Sequence, residues 1–483
     1  MSKINWNFNN TYFNLPRSFK EDIDPVPVIN PDLVLLNDKL ASSLDLDFSK
    51  ISHKELSKIF SGNLLPEGSN SIAQAYAGHQ FGHFTMLGDG RAVLIGEHTN
   101  KSNIKYDIQF KGSGKTAFSR NGDGRAALGP MLREYLISES MFNLNIPTTR
   151  SLAVVKTGED IVRDTPLQGA VLTRVALSHI RVGTFQYIAA RQRKDELEIL
   201  MNYVIKRHYP NIENSQNKAL DLLKVVMEKQ IDLVINWMRV GFIHGVMNTD
   251  NMSISGETID YGPCAFMDTY DPKTVFSSID QMGRYAYCNQ PFITKWNLSR
   301  FAECLISLID KDQKKSIKLA TEIIDTFEKK YEEKWLNMMR NKLGLYGVDD
   351  KDKSLILDLL TWMHQKKMDY TNTFCHLMSL ENQKDKSFED NDFQNWKKRW
   401  QDRLKIKNNT PDKFIKLMRK VNPLVIPRNH KVEEALSEAN HGNLKPTIRF
   451  LEILKNPYNE KKSIDEYQMP SLSNKNYKTF CGT

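Results

Sequence analysis

The feature that most constrains the fold is a change in hydrophobic periodicity near residue 178. Before it, short apolar or alternating runs bounded by turn residues predict β-strands, with one stretch of helical spacing at 126–144. After it, apolar residues recur at helical spacing. The order predicts an α+β fold, with a β-rich lobe followed by a helical lobe. Predicted strands lie at 92–98, 106–110, 150–158 and 169–176, and predicted later helices at 178–191, 219–241, 298–309, 316–339 and 410–421.

The chain has 483 residues, enough for two or three domains of ordinary size. We expect an N-terminal extension and the β-rich lobe at 1–177. A helical lobe is expected at 178–345, followed by a helical C-terminal extension and tail at 346–483. No repeat period or low-complexity segment argues for a different division.

Composition narrows the class of protein. The net charge of +9 is moderate for this length, and solvated helix faces explain it better than binding to nucleic acid. No apolar run approaches membrane-spanning length, so we expect a cytoplasmic protein without a membrane partner. The five cysteines form no CxxC pair, which argues against a zinc site, and Cys481 is expected to be an accessible thiol. The sequence does not predict the oligomeric state.

The stretch HGVMNTDNMSISGETIDYGP, residues 244–263, carries the strongest chemical pattern. Kinase-like enzymes use a loop H-x-D-x-x-x-x-N followed by D-x-G, in which the Asn and the last Asp hold Mg²⁺. His244, Asn251 and Asp260 fit this pattern, and we expect His244 to brace the loop. Residues 251–260 are expected to form a short hairpin that turns at Gly256.

The same loop departs from the kinase pattern at its catalytic position. Val246 stands where the catalytic aspartate is expected, and a valine cannot accept a proton. Asp250 is the only carboxylate left inside the loop, which makes it the candidate general base. A base at this position requires a different approach of the acceptor, and hence a different phosphorus atom or a different nucleotide pose.

A candidate phosphate-binding pair lies further upstream. Lys111 ends a predicted strand, and Glu134 lies on the following helix, as in kinases, where a strand lysine grips phosphate oxygens and a helix glutamate holds the lysine. The nearby triplet Gly-Lys-Thr at 114–116 imitates the end of a P-loop. However, Gln109 occupies the position of the first glycine, so a P-loop is not favoured.

Two glycine-rich stretches could approach a phosphate closely. Gly88 and Gly90 precede a predicted strand, and Asp123 and Gly124 lie before the helix at 126–144, where free N–H groups favour anions. An alternative for the second stretch is an ordinary glycine-rich turn with Asp123 as the helix N-cap.

With these residues assembled, the chain resembles the selenoprotein O family of kinase-fold enzymes, which transfer AMP from ATP to protein hydroxyls. The resemblance rests on blocks at 75–92, 110–136, 172–185 and 244–263. It implies a protein-kinase-like bilobal fold, ATP bound in an inverted pose, and protein substrates modified on Ser, Thr or Tyr. The implied roles are nucleotide binding for Gly88, Gly90, Arg91, Lys111, Asp123, Gly124, Arg174, Arg181 and Asp260, proton acceptance for Asp250, metal binding for Asn251 and Asp260, and support of Lys111 by Glu134.

Several alternatives stay open at the level of sequence. Uridylyl transfer from UTP with Mn²⁺, phosphoryl transfer of the aminoglycoside-kinase type and a non-catalytic nucleotide-binding scaffold each fit part of the pattern. Mg²⁺ and Mn²⁺ accept the same oxygen ligands, so the metal is not decided. Family members often carry a cysteine or selenocysteine near the C-terminus, as Cys481 is here, but no resolving cysteine lies beside it.

Overall fold

A computed structural model describes residues 4–379, 386–406, 410–460, 464–471 and 477–480. It has a large antiparallel sheet in its first part and a predominantly helical second part, which confirms the predicted mixture of helix and sheet. Within these ranges no helix combines the length and apolar character needed to cross a membrane. The predicted thiol Cys481 lies outside the described residues.

Eight strands form the large sheet, in the order β1-β3-β6-β7-β10-β9-β2, with β8 beside β10, and all pairs are antiparallel. Two small sheets pair β4 with β5 and β11 with β12. The strands are β1 (Lys20–Asp22), β2 (Asp32–Leu36), β3 (Ile72–Gln74), β4 (Ala77–Gln80), β5 (His83–Met86), β6 (Ala92–Thr99), β7 (Lys105–Lys111), β8 (Ala126–Ala127), β9 (Arg150–Val162), β10 (Pro166–Ala176), β11 (Phe242–Ile243) and β12 (Ala265–Phe266).

The α-helices lie mainly after the large sheet. They are α1 (Asp38–Ser43), α2 (His53–Ser61), α3 (Leu128–Asn143), α4 (Val182–Ala190), α5 (Lys194–His208), α6 (Lys218–Val240), α7 (Gln290–Ile309), α8 (Gln313–Ile324), α9 (Phe327–Lys342), α10 (Asp352–Gln365), α11 (Tyr370–Met378), α12 (Asn391–Leu404), α13 (Pro411–Arg419), α14 (Asn429–Asn440), α15 (Lys445–Leu454) and α16 (Asp465–Gln468).

The large sheet is buried on both faces. On β10, Val171 and Val175 pack with α1 and α2, whereas Ala170 and Leu172 pack with α3, as the alternation of a strand requires. Helices α14 and α15 pack on the outer side of α3. Residues 429–454 therefore contact the helix that carries Glu134.

Helix α6 organises the helical part. Asn217 caps its start by accepting a hydrogen bond from Leu220 N, and Gly241 ends it in the left-handed conformation with φ 71°. The predicted helix end at Gly241 is confirmed. The chain then continues through β11 directly into the 244–263 stretch, so the end of α6 fixes where this stretch begins.

Three local predictions were wrong. The predicted helix 316–339 is two helices, because the Thr326 hydroxyl donates to the Ile323 carbonyl and the chain turns there. The predicted helix 178–191 begins only at Val182, since His179 N donates to the Asp107 carboxylate. Gly256 does turn with φ 81°, but residues 251–260 form no hairpin. Their bridges lead elsewhere, Ser253 to Arg181 and Thr258 to Thr148.

Candidate active site

A cavity of about 1300 Å³ lies between the large sheet and the loops that follow α6. Ten of the predicted site residues line it, namely Gly88, Gly90, Arg91, Lys111, Asp123, Gly124, Glu134, Asp250, Asn251 and Asp260. The two remaining residues, Arg174 and Arg181, are buried behind the cavity wall and lie within salt-bridge distance of Asp260. The fold thus brings together side chains that are up to 172 positions apart in sequence, from Gly88 to Asp260.

Five charged side chains form what we call the cleft network: Lys111, Glu134, Arg174, Arg181 and Asp260. Lys111 Nζ lies 2.7 Å from Glu134 Oε2 and 2.7 Å from Asp260 Oδ1. Arg174 repeats this bridge, with Nε 2.8 Å from Glu134 Oε1 and Nη2 2.7 Å from Asp260 Oδ1. Strand pairing explains the arrangement. Leu172 lies opposite Lys111 on the neighbouring strand, and Arg174, two residues after Leu172, therefore points to the same face of the sheet as Lys111.

The network keeps its carboxylates ionised. Burial alone would raise the pKa of Asp260, but Lys111, Arg174 and Arg181 outweigh it and hold that pKa well below its ordinary value. Lys111, Arg174 and Arg181 together place three cations around Asp260. Such a cluster suits a polyphosphate, and the ionised Asp260 suits a hard cation.

Arg181 is held by residues that sequence reasoning did not select. Its guanidinium lies 4.2 Å from the centre of the Tyr76 ring and 3.9 Å from Asp89 Oδ1, and it donates to the Asp250 carbonyl at 3.1 Å. Burial raises the pKa of Asp89 to about 6, against the opposing effect of Arg181. The position of Asp89 between Gly88 and Gly90 was the one signal available in the sequence.

Asp250 is buried at the bottom of the cavity in a single 3₁₀ turn, Thr249–Asn251. The backbone of β4 lies so close that any side chain at Gly78 would overlap the Asp250 carboxylate. Asp250 Oδ1 is buried without a hydrogen-bond partner, and burial raises the pKa of this carboxyl to about 6. Because Asp250 also lines the cavity, its carboxylate can accept a proton from a ligand bound there.

The rest of the loop is braced as predicted. His244 is buried, its Nε2 is 2.9 Å from the Ile259 carbonyl, and its Nδ1 accepts from Val246 N at 3.3 Å. Asn251 Nδ2 donates to the Val246 carbonyl at 3.0 Å, which fixes the orientation of the amide. Val246 therefore contributes its backbone carbonyl to loop geometry and no proton-transfer group to the cavity.

The protein groups fit a divalent cation that is held mainly by its substrate. No set of three or more His, Cys, Asp or Glu side chains suited to a metal occurs within the described part of the chain. Asn251 and Asp260 offer two side-chain oxygens at the wall of the cavity, and Asp260 stays ionised. Mg²⁺ and Mn²⁺ commonly take one or two such protein ligands and complete their shell with phosphate oxygens and water.

The second glycine-rich stretch is a turn beside the cavity, but the predicted N-cap role of Asp123 was wrong. Helix α3 begins at Leu128 with Ala127 as N-cap, so Asp123 is not the cap. Instead Asp123 forms an ion pair of 2.8 Å with Arg163 on the turn after β9. Gly124, with φ 69°, lies against the backbone of Gly114, where a Cβ atom would overlap it. The stretch is a packed turn at the cavity rim.

The Gly-Lys-Thr triplet is not a P-loop. No helix begins after Thr116 for the next eleven residues, and the Thr116 hydroxyl donates to the Asp89 carbonyl at 2.7 Å. Both features remove the phosphate cradle that a P-loop supplies at a helix N-terminus.

Comparison with known proteins is consistent across the chain. The family model described as "Protein adenylyltransferase SelO" matches residues 2–455. A protein named Protein nucleotidyltransferase YdiU from Pelagibacter ubique is 66% identical over 481 residues, covering 99% of this chain and 100% of that protein. Proteins of the same name from Nitrosococcus oceani and Anoxybacillus flavithermus are 53% and 54% identical, and each alignment covers at least 98% of both chains.

Proposed function

The chain belongs to the protein adenylyltransferase SelO family, and we propose that it transfers AMP from ATP to Ser, Thr or Tyr hydroxyls of proteins. The observation that carries the proposal is the position of Asp250. It is a buried carboxylate with an orphaned oxygen, next to Asn251 and at the bottom of a cavity of about 1300 Å³. The kinase position for a base, Val246, has no proton acceptor.

We also propose that the molecule is a kinase-like bilobal protein. The sheet with α3 would be the first lobe, at 1–177, and the helices from α4 to α9 would be the second, at 178–345. Residues 346–483 would form the extension, which packs on α3 through α14 and α15. The pairing of Lys111 with Glu134 across β7 and α3 supports this assignment.

The cleft network would bind the triphosphate. Lys111, Arg174 and Arg181 supply the positive charge, while Glu134 holds the first two in place from behind. Gly88, Gly90, Arg91, Asp123 and Gly124 line the same cavity and would contact the rest of the nucleotide. Arginine guanidinium groups suit this role because their forked donors match phosphate oxygens.

Asp250 would act as the general base. It takes the proton of the acceptor hydroxyl while that oxygen forms a bond to the α-phosphorus. The bond between the α-phosphorus and its bridging oxygen breaks, and pyrophosphate leaves with the electron pair. Lys111 and the arginines stabilise the charge that develops on the leaving group. Asn251 and Asp260 would hold Mg²⁺ or Mn²⁺, which supplies further charge neutralisation when bound.

The decisive experiment uses ATP labelled at either the α or the γ phosphate. With purified enzyme and candidate protein substrates, we expect label to enter protein only from the α position, with stoichiometric release of pyrophosphate. Label entering only from the γ position would identify a phosphotransferase of the aminoglycoside-kinase type or a kinase instead. Nucleotide-dependent thermal stabilisation without transfer would identify a scaffold.

The nucleotide and the metal are tested in the same assay. Competition between ATP and UTP, each with Mg²⁺ and with Mn²⁺, separates adenylyl from uridylyl transfer. We expect ATP to be preferred, and a preference for UTP with Mn²⁺ would replace AMP by UMP in the proposal while leaving the roles of Asp250 and the cleft network unchanged.

A further inference from the structure

A small hairpin fixes the surface beside Asp250. It consists of β4, β5 and the turn between them, residues 77–86, and it is bonded to the catalytic loop. His79 N donates to Thr249 Oγ1 at 2.7 Å, and Phe81 N donates to Asn248 Oδ1 at 3.2 Å. Together with the overlap of Gly78 and Asp250, these bonds place the turn of the hairpin just outside the base.

A second segment, residues 279–285, meets the hairpin at the same point. The Tyr285 hydroxyl donates to Asn248 Oδ1 at 2.7 Å, and the Tyr285 and Phe81 rings lie 5.1 Å apart. The Arg284 guanidinium lies against the turn, 3.8 Å from the position that a Cβ of Gly82 would occupy. We call the hairpin, this segment and Trp296 the acceptor rim, because the hairpin and Tyr285 are hydrogen-bonded to the loop that carries Asp250.

Arg284 is a cation without a counter-ion. Among the residues that the structure describes, none forms a salt bridge with Arg284; its side chain is hydrogen-bonded to that of Tyr285, and its Nε is buried without a hydrogen-bond partner. Asp280, on the same turn, instead accepts from the backbone N–H groups of residues 284 and 285 at 2.9 and 2.8 Å. The guanidinium stacks 4.8 Å above the Trp296 ring. A guanidinium that is stacked and partly desolvated in this way can bind a carboxylate.

The residues around Arg284 add positive charge to this surface. Arg300 lies 5.1 Å from the same Trp296 ring, and its ion-pair partner Glu303 is largely exposed. Residues 77–86 contain two histidines and no acidic residue. Arg174 and Arg181 share Asp260 as a counter-ion, whereas Arg284 has no carboxylate of the cleft network as a counter-ion.

The acceptor rim is also unusually apolar for an exposed surface. Met282 is 93% exposed, Ile279 is 56% exposed, and Phe84 and Met86 are 44% exposed each. Exposed apolar side chains clustered around a desolvated arginine are typical of a protein-binding surface rather than of a solvated face.

We propose that Arg284 binds an Asp or Glu side chain of the protein substrate, close in sequence to the hydroxyl that receives the nucleotide. Apolar residues of the same substrate segment rest on Phe84 and Met282. This inference rests on the proposed transfer function and defines its substrate class as hydroxyl residues with acidic and apolar neighbours.

The experiment maps modified hydroxyls by mass spectrometry in cells that produce the wild type, Arg284→Glu or Arg284→Lys. With the wild type we expect Asp and Glu to be enriched within about four residues of the modified hydroxyl. Arg284→Glu should abolish this enrichment and favour Lys and Arg, whereas Arg284→Lys should retain it in weaker form. The matched control is Arg191→Glu, because Arg191 also stacks on a tyrosine ring, at 4.0 Å from Tyr187, but lies at the far end of α4.

A kinetic measurement separates recognition from a structural effect. On a peptide taken from a modified site, we expect Arg284→Ala to raise KM for the acceptor about tenfold, with KM for ATP and kcat unchanged. Replacing the acidic residue of the peptide by its amide should have the same effect on the wild type and none on the variant. Identical flanking residues for the wild type and Arg284→Glu, or unchanged acceptor KM, would overturn the inference. Absence of nucleotide on any protein with the wild type would instead reject the transfer function, and the inference with it.

Discussion

Two buried charge networks occupy opposite ends of the same strand, β7. The cleft network includes Lys111 at its end. The other, which we call the shoulder network, joins Asp107 near its start to Glu97, His179 and Arg207. Arg207 on α5 donates to both carboxylates, 2.6 Å from Asp107 Oδ1, and thereby ties the helical part to the sheet.

The two networks differ in how they lie relative to the cavity. In the shoulder network every side chain is nearly fully buried, and none of its residues lines the cavity beside the cleft network. Burial would raise the pKa of Asp107, but Arg207 and His179 outweigh it and lower that pKa. Beside the cleft network, by contrast, Asp250 lines the cavity, and burial raises its pKa to about 6. A buried charge is therefore no sign of chemistry by itself; a carboxyl group with a raised pKa at the wall of a cavity is a better one.

The largest effect is expected at Asp250. Asp250→Asn should lower the transfer rate by about 10⁴-fold, because the amide cannot accept the proton. Stability should be unchanged or higher, since a poorly solvated carboxylate is removed. Steady-state transfer and thermal unfolding of the same preparations check both. Asp232→Asn, an exposed partner of Lys334, should change neither, and substantial residual transfer by Asp250→Asn would contradict the role of this residue.

The shoulder network predicts the opposite pattern. Arg207→Met removes the arginine that bridges two buried carboxylates, Glu97 and Asp107, and should lower the free energy of unfolding by about 3–5 kcal/mol. At temperatures where the variant stays folded, its kcat/KM for ATP should match the wild type. Arg193→Met removes an exposed pair with Glu196 and should cost less than about 1 kcal/mol. If Arg207→Met lost activity without losing stability, the distinction between the networks would fail.

The pH dependence of the free energy of unfolding tests the role of a further buried carboxyl group, that of Glu257. It is buried near the shoulder network, and burial raises its pKa to about 8 from an ordinary value of 4.5. The folded state thus holds this proton more tightly than the unfolded state, and the associated stability, complete below pH 4.5, is lost as pH rises to about 8. Glu257→Gln should remove that loss, so its advantage over the wild type should grow between pH 5 and pH 8 to about 1–3 kcal/mol. Denaturant unfolding at the two pH values measures it, and a constant difference would contradict the assignment.

The smallest effect concerns the support of Arg181. Tyr76→Leu removes the ring under its guanidinium and should raise KM for ATP by about five- to tenfold, with kcat nearly unchanged. Tyr187→Leu, which removes the ring under Arg191, is the matched control and should leave KM for ATP unchanged. Equal KM values for the two variants would show that the Tyr76 ring does not position Arg181.

Much of the candidate site was accessible from sequence because it depends on local spacing. The kinase-like order of a strand lysine and a helix glutamate predicted that Glu134 holds Lys111, and the two side chains lie 2.7 Å apart. The strand at 92–98 was predicted to within one residue, and Gly241 ends α6 as expected. The N-cap role of Asp123 and the hairpin at 251–260 were wrong, because their partners Arg163, Arg181 and Thr148 are distant in sequence.

The sequence by itself indicated which side chains can perform the chemistry, because its lysine, glutamate, asparagine and aspartate occur in the order of a kinase-like site. Only the tertiary structure decided how they are charged and what surrounds them. Asp89 and Tyr76 hold Arg181, Arg207 closes the shoulder network, and Arg284 remains unpaired beside a turn about 200 positions earlier in the chain. Burial and counter-ions depend on contacts between segments that local periodicity does not specify, and they alone separate a general base from a structural carboxylate.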